Sequence, residues 1–290
     1  MKSAWALPAL GLLCIGCAPQ FQHHVDPEVR AAKMGRDVEV SVPQGEIQGE
    51  FIASSAGASL GLIGALIDSG VDKSRASGAD KLMKDVRQVL TGFDFDSLAD
   101  KATRETLSQI SWLEAQNVIF TKTFGEDVCL KKLDAAKTNQ VLFCNYNYGL
   151  SPDCSSIHVS MTALLANKDL VRPGETPSDR LSQTNLLYQQ YFLVVLPISN
   201  PSKFAVLNEE RWAKDGGKTL REALEGGVSA LQLMLTKGLE QTPESEAANQ
   251  KTEMSTVGGY RGHVVAKTPQ GTILCIFDGS WVLVLPERSL

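Results

Sequence analysis

The sequence predicts an α+β fold: an antiparallel sheet packed by amphipathic helices, with a small C-terminal β meander. Three observations predict it. Apolar residues recur at helical spacing in separate stretches, as Leu98, Ala102, Leu107, Ile110 and Leu113, and again as Leu220, Leu224, Val228, Leu231 and Leu235. Between those stretches lie β-branched and aromatic runs at residues 141–148, 156–165 and 186–196. Beyond residue 256, "GHVVAKTPQGTILCIFDGSWVLVLPE" alternates strand-like runs with the turn signals "TPQG" and "DGS".

Residues 1–16 carry one positive charge, Lys2, followed by an apolar run at 4–15 broken only by Pro8 and Gly11. A transmembrane helix needs about 20 apolar residues, so this shorter run has the layout of a secretory signal. In "GLLCIGCAPQ", residues 11–20, Ile15 and Gly16 precede Cys17. That arrangement resembles the cleavage box of bacterial lipoproteins, in which an apolar residue at minus three and small residues stand before an obligatory Cys. Cys14 occupies the minus-three place where such boxes usually carry Leu. Modification at Cys14 itself would put bulky Leu13 against a peptidase that accepts small neighbours, so Cys17 is the expected attachment point. The resemblance implies a diacylglyceryl thioether and a further acyl chain at Cys17, and two or three chains anchor a protein stably where one does not. In a Gram-negative host, Ala18 at the following position implies transport to the outer membrane, facing the periplasm.

Residues 17–50 read as a polar tether, with an alternating piece at Val38, Val40 and Val42 that has strand character. His23 and His24 near Asp26 and Glu28 have the chemistry of a weak chelate, but a solvated tether explains them better. Residues 51–78 are a Gly-rich apolar segment. Gly57, Gly61 and Gly64 fall near one helical face with Ala53 and Ala65, a small-residue spacing that permits close helix contact, self-assembly or membrane approach. A loosely packed connector is the plainer reading.

The α+β domain is expected over 79–240. It begins with a helix at 79–90 and a second one carrying Leu98 to Leu113, with Asp96 or Ser97 as N-cap. "NVIFTKTF" reads as a strand and residues 127–136 as a helix, followed by the three strands of a meander and a strong amphipathic helix over 218–239. Residues 241–256, polar with Pro243, read as a linker, and 257–290 as the meander, either a satellite or extra strands on the main sheet. The element order resembles the periplasmic α/β modules of TolB's N-terminal region and of lipoproteins such as LpoB and CsgG, without a shared motif, so no functional residue carries over. The "GLIGALID" segment, the α/β body and the "DGSW" hairpin together also resemble bacterial lipoproteins that have no assigned activity.

Removal of the signal takes one of the 28 basic residues, Lys2, against 33 acidic ones, and moves the net charge from −5 to −6. An acidic exported chain lacks the basic stripe of a nucleic-acid binder. With 43% hydrophobic and 21% charged residues the chain belongs with globular proteins rather than disordered ones. Apart from Cys14 and Cys17, four cysteines remain: Cys129, Cys144, Cys154 and Cys275. An oxidising compartment permits disulfides, and Cys144 and Cys154 flank the turn-like "YGLSPD". They meet only if that turn centres near Gly149; centred on Ser151 and Pro152 it sets Cys144 opposite Ile157 or His158, out of register. Buried free thiols are the alternative. Among these four no CxxC occurs, and His158 and His263 stand alone in strand-like runs, so neither metal nor cofactor is expected.

No catalytic set is legible. "DGGKT", residues 215–219, lacks the earlier glycine of a phosphate loop, whose place Trp212 takes. "GVSAL" puts Ser229 inside the strongest helix rather than on a strand-to-helix elbow. His158 has no partner identifiable from spacing. Tyr146 and Tyr148 make one strand face aromatic, which suits a core better than a sugar platform. The expectation is therefore a non-enzymatic, lipid-anchored envelope protein that binds or helps assemble a protein partner. The alternatives are a glycine-zipper oligomer or membrane-perturbing protein, and a periplasmic hydrolase.

Overall fold

The valine alternation near residue 40 becomes strand β1 (Arg36–Ser41), buried along its whole length. The computed structural model describes residues 23–49, 83–170 and 186–288. β1 pairs in parallel with β3 (Ala115–Thr121) on one side and with β4 (Gln140–Leu150) on the other. For the described residues 23–49 this placement corrects the polar tether expected over 17–50: Val25 is already fully buried and β1 lies inside the sheet. The polar residues of β1 misled because side chains, not water, satisfy them. Asn117 Nδ2 donates to Asp37 at 2.7 Å, Lys132 pairs with Glu39 at 3.2 Å, and Ser41 donates to Asn145 Oδ1 at 2.9 Å.

The expected meander is present. β4, β5 (Ser156–Asn167) and β6 (Leu186–Pro197) pair antiparallel in succession. β2 (Gln48–Gly49) adds a short parallel pairing to β4. The C-terminal strands β7 (Met254–Val257), β8 (Tyr260–Thr268), β9 (Gly271–Cys275) and β10 (Trp281–Val284) extend the same sheet, because β10 lies parallel to β6. The strand order is β3-β1-β4-β5-β6-β10-β9-β8-β7. The fold is α+β. Residues 241–256 are corrected from linker to structure: helix α6 (Pro243–Asn249) opens with a reciprocal Thr242–Ser245 capping box, and β7 starts at Met254. Their polarity gave no helix signal, since α6 buries none of its residues.

Ahead of it run α1 (Pro27–Ala31), α2 (Lys84–Val89), α3 (Phe95–Leu107), α4 (Glu126–Ala135) and the long α5 (Ala205–Leu239). Asp94, not Asp96 or Ser97, caps α3 by accepting the Ser97 N–H at 2.9 Å. Helices α2, α3 and α5 cover one sheet face. Leu220, Leu224, Val228, Leu231 and Leu235 all join that core, each burial worth about 1.5–3 kcal/mol. The helix lies close against the sheet because two of its inward positions lack a side chain. A Cβ at Gly227 would stand 2.6 Å from Val159 Cγ2, and one at Gly238 would stand 2.5 Å from the Tyr188 hydroxyl. α4 covers the other face over Val141, Phe143, Leu164 and Ala166.

The β4–β5 register overturns the Cys144–Cys154 disulfide. Leu150 pairs with Ile157, so the connection is 151–155 and Cys144 faces Ala163 deep in the sheet. Cys154 lies in the connection itself with φ 55, and both thiols are free and buried. Tyr146 and Tyr148 are core residues, as their alternation predicts. The Tyr146 hydroxyl meets Thr103 Oγ1 and Gln232 Nε2 at 2.6 Å each, and Tyr148 stacks on Phe95 with ring centroids 3.9 Å apart.

Candidate functional site

Strand β6 gives the molecule two ends. At its start, His23 Nδ1 lies 3.1 Å from the Gln189 carbonyl, and Gln190 Nε2 donates to Gly279 O at 2.8 Å, in the β9–β10 turn. Past its end, Ile198 N donates to Ser155 O at 2.9 Å, in the β4–β5 connection. The seven steps from Gln190 to Pro197 separate these ends by about 23 Å at the rise of an extended strand.

The far end is built by the first part of α5, before its break. Lys214 leaves helical geometry, and Asp215, Gly216 and Gly217 take φ values of 51, 63 and 74. Gly217 packs where a Cβ would meet Val89 Cγ2 at 2.5 Å. This is the "DGGKT" stretch, and its role is to redirect the helix. Upstream of the break the usual amphipathic pattern is inverted. Asn208, Glu209 and Trp212, spaced to share one helical face, point inward at 0%, 3% and 0% exposure. Phe204, Val206 and Leu207 stand outward at 55%, 49% and 44%.

Each inward polar group has a partner. Asn208 Nδ2 donates to Asp153 O at 2.9 Å and Ser202 O at 2.8 Å, while its Oδ1 accepts the Ser202 N–H at 2.7 Å. Trp212 Nε1 donates to Cys154 O at 3.0 Å. Glu209 Oε1 accepts the Val86 N–H at 2.9 Å. Burial raises the Glu209 pKa, against which the Val86 N–H works. The helix therefore spends its inward face on clasping the β4–β5 connection and the start of α2. Phe204, Val206 and Leu207 are left in solvent, joined by Lys203, whose Nζ lies 5.1 Å from the Phe204 ring centroid. One aromatic and two aliphatic side chains are thus exposed within four residues of the chain, apolar surface available for burial.

A second candidate is the sheet face opposite the large helices, part of which α4 covers. Ser41, Asn145 and Thr162 lie side by side on β1, β4 and β5. Ser156 Oγ lies 3.1 Å from His158 Nε2, two residues along the same strand. Asp153 Oδ1 is committed to the turn, accepting from Ser151 Oγ at 2.8 Å and from the Ser155 N–H and Oγ at 3.0 and 2.8 Å. Burial pushes the Asp153 pKa up, but those hydrogen bonds outweigh it and hold the carboxyl below its ordinary value. The arrangement orders a strand and its turn.

Cys17, Gly57, Gly61 and Gly64 lie outside the described residues. His24 is an element of the fold rather than part of a tether: its Nδ1 lies 2.5 Å from Glu246 Oε2 and its Nε2 3.3 Å from Asp26. His263 Nδ1 lies 2.8 Å from Thr252 O, and Ser229 is exposed on α5. Among the described residues no group of three or more His, Cys, Asp or Glu could hold a metal ion, and no helix is long and apolar enough to cross a membrane. The apolar patch was missed although one signal for it was present. In "KFAVLNEERW" a buried Trp212 fixes the inward face, which puts Asn208 and Glu209 inside and Val206 and Leu207 outside.

The fold and the helix end define a class: an α+β body whose longest helix starts with exposed apolar side chains at Val206 and Leu207. No protein-family model and no curated protein matches the chain.

Proposed function

We propose that the chain is a lipid-anchored cell-envelope protein, held at the outer membrane through Cys17 with its body in the periplasm. It binds a protein partner through Phe204, Val206 and Leu207 and has no enzymatic role. The observation that carries the partner reading is the inversion at the start of α5. A helix start that buries Asn208 and Glu209 and half-exposes Phe204, Val206 and Leu207 leaves three side chains whose remaining burial would be worth about 1 kcal/mol apiece. Anchoring is supported by the lipoprotein-type box at Ile15, Gly16 and Cys17.

A photocrosslinking amino acid at position 207, introduced in cells, tests the docking patch, and intact mass of the membrane-fraction protein tests the anchor. Adducts to an envelope protein, on a chain that begins at acylated Cys17, are the expected outcome. Adducts to a second copy would instead favour self-assembly, the role that Gly57, Gly61 and Gly64 would serve. An acylated protein with no adduct at 207 removes the patch from the account. An unlipidated Cys17→Ser protein that is exported, soluble and fully functional removes the anchor.

A further inference from the structure

We infer that Phe277, at the tip of the β9–β10 turn, is a membrane-contacting side chain that sets the orientation of the body on the lipid surface. This inference rests on the anchoring reading proposed above. Phe277 is the one large hydrophobic residue among those described that is fully exposed. Nothing in its own turn accounts for that exposure, because the turn closes without it. Gly279 N donates to Ile276 O at 2.9 Å, Ile276 N donates to Ser280 O at 2.9 Å, and Gly279 takes the left-handed φ of 84 that the chain reversal needs. Below the tip, Trp281 meets Phe192 edge-on with ring centroids 5.7 Å apart, so the turn stands on a packed base.

The location decides the kind of partner. A Cβ at Gly279 would collide with the His23 ring, and Gln190, fully buried, ties the Gly279 carbonyl to β6 at 2.8 Å. The turn and the first described residue of the chain therefore touch. Only five residues lie between Cys17 and His23, and the six steps from one to the other reach at most about 20 Å. A lipid on Cys17 thus keeps this end of the body within about 20 Å of the bilayer. A fully exposed aromatic ring at that place is positioned for the interface, where aromatic side chains settle at headgroup level.

The turn itself, residues 276–280, carries no Lys or Arg to draw it to charged headgroups, so its contact with a bilayer is the apolar one of Phe277. The neighbouring acid, Asp278, is turned back on its own loop, with Oδ1 accepting the Ser280 N–H at 2.9 Å. One phenylalanine would not hold a free protein on a membrane. On a tethered protein it has only to choose among orientations, because the lipid already supplies a high effective concentration of bilayer. With Phe277 in the interface, β6 points its far end, and the patch at Phe204, Val206 and Leu207, away from the membrane.

The test uses acylated protein purified from membranes and reconstituted in phosphatidylethanolamine–phosphatidylglycerol vesicles that contain lipids brominated on the upper acyl carbons. Phe277→Trp adds one indole to a mature chain that already holds Trp112, Trp212 and Trp281. The added emission should be quenched roughly twofold by the brominated lipids, with no quenching of the wild-type background. An acyl chain confirmed at Cys17 by mass, with no added quenching, overturns this inference and leaves the anchor standing. A mass without the acyl chain overturns both. Quenching that survives in Phe277→Trp protein but is unaffected by the quencher's depth in the bilayer also counts against it, since a ring seated at the interface responds most to shallow bromines.

Discussion

Glu209 Oε1 accepts the backbone N–H of Val86 at 2.9 Å from a helix whose neighbouring residues Val206 and Leu207 face solvent. The carboxyl is buried, which raises its pKa above the ordinary 4.5. A raised folded pKa means that the folded state holds this proton at pH values where the unfolded state has released it. Stability therefore falls as pH rises from about 4.5 through the raised value, and the loss persists above it. Glu209→Gln keeps an oxygen for Val86 and removes the charge. Chemical denaturation across pH 4 to 8 should show the variant gaining on the wild type as pH rises and converging with it in acid. A difference that does not change with pH would show that Glu209 does not titrate differently on folding.

Asn208 and Trp212 hold the β4–β5 connection through Asp153 O and Cys154 O. Asn208→Leu leaves two part-buried carbonyls and the Ser202 N–H without their partner and should cost about 1–3 kcal/mol; Trp212→Phe, which loses one bond and some volume, about 1–3 kcal/mol. Both should appear as a lower urea midpoint at unchanged slope. In-cell crosslinking at 207 should fall with Asn208→Leu more than global stability alone accounts for, because the clasp sets where the patch stands.

The elements legible in advance were those whose pattern and burial agree. The α5 heptad-like row from Leu220 to Leu235 and the meander over β4, β5 and β6 declared themselves because apolar residues fall on the buried face. What was not legible is where polar residues lie inside. β1 alternates Val38 and Val40 with Asp37 and Glu39 and reads as half-exposed, yet it pairs on both edges; its parallel partners β3 and β4 come from more than 70 residues downstream, and no local pattern announces a crossover of that kind. The inverted start of α5 failed for the same reason, since Asn208 and Glu209 take the inward face through bonds to backbone that only the tertiary arrangement supplies. The Cys144–Cys154 pairing depended on one turn centre, and the ladder sets Cys144 opposite Ala163 instead of Cys154.

The four cysteines of the body give an ordered prediction. Burial pushes the Cys129, Cys144 and Cys154 thiols up to about 12 each, and the partly exposed Cys275 up to about 11. Thiolate is the reactive form, so native protein at pH 8 should alkylate slowly, with Cys275 first and Cys144 last. Peptide mapping after timed iodoacetamide treatment reads that order. Denatured, unreduced protein should take up label at all four positions, and a Cys144–Cys154 peptide pair linked without reductant would contradict the register of β4 and β5.

Arg36 ties the N-terminal segment to the body, and its removal gives the prediction that links stability to function. Its Nε donates to Gln140 Oε1 at 2.7 Å, Nη1 to the carbonyls of Met34, Trp112 and Leu113 at 3.0, 2.8 and 3.3 Å, and Nη2 to Val29 O at 2.6 Å. The guanidinium also lies 5.0 Å from the Trp112 ring centroid. Burial lowers the Arg36 pKa, which the charge of Glu114 opposes, but an arginine stays charged throughout the usable range. Lysine has neither the planar fork nor enough donors for these acceptors, so Arg36→Lys should lose about 2–4 kcal/mol and Arg36→Met at least as much. Amide exchange should then rise over residues 25–36 before it rises in β4 or β5. A freed segment lengthens the reach between Cys17 and the body, so quenching at position 277 should weaken in the Arg36→Lys background even where the sheet remains folded. An Arg36→Lys protein with wild-type exchange over 25–36 would show that the guanidinium's carbonyl contacts do not hold the segment down.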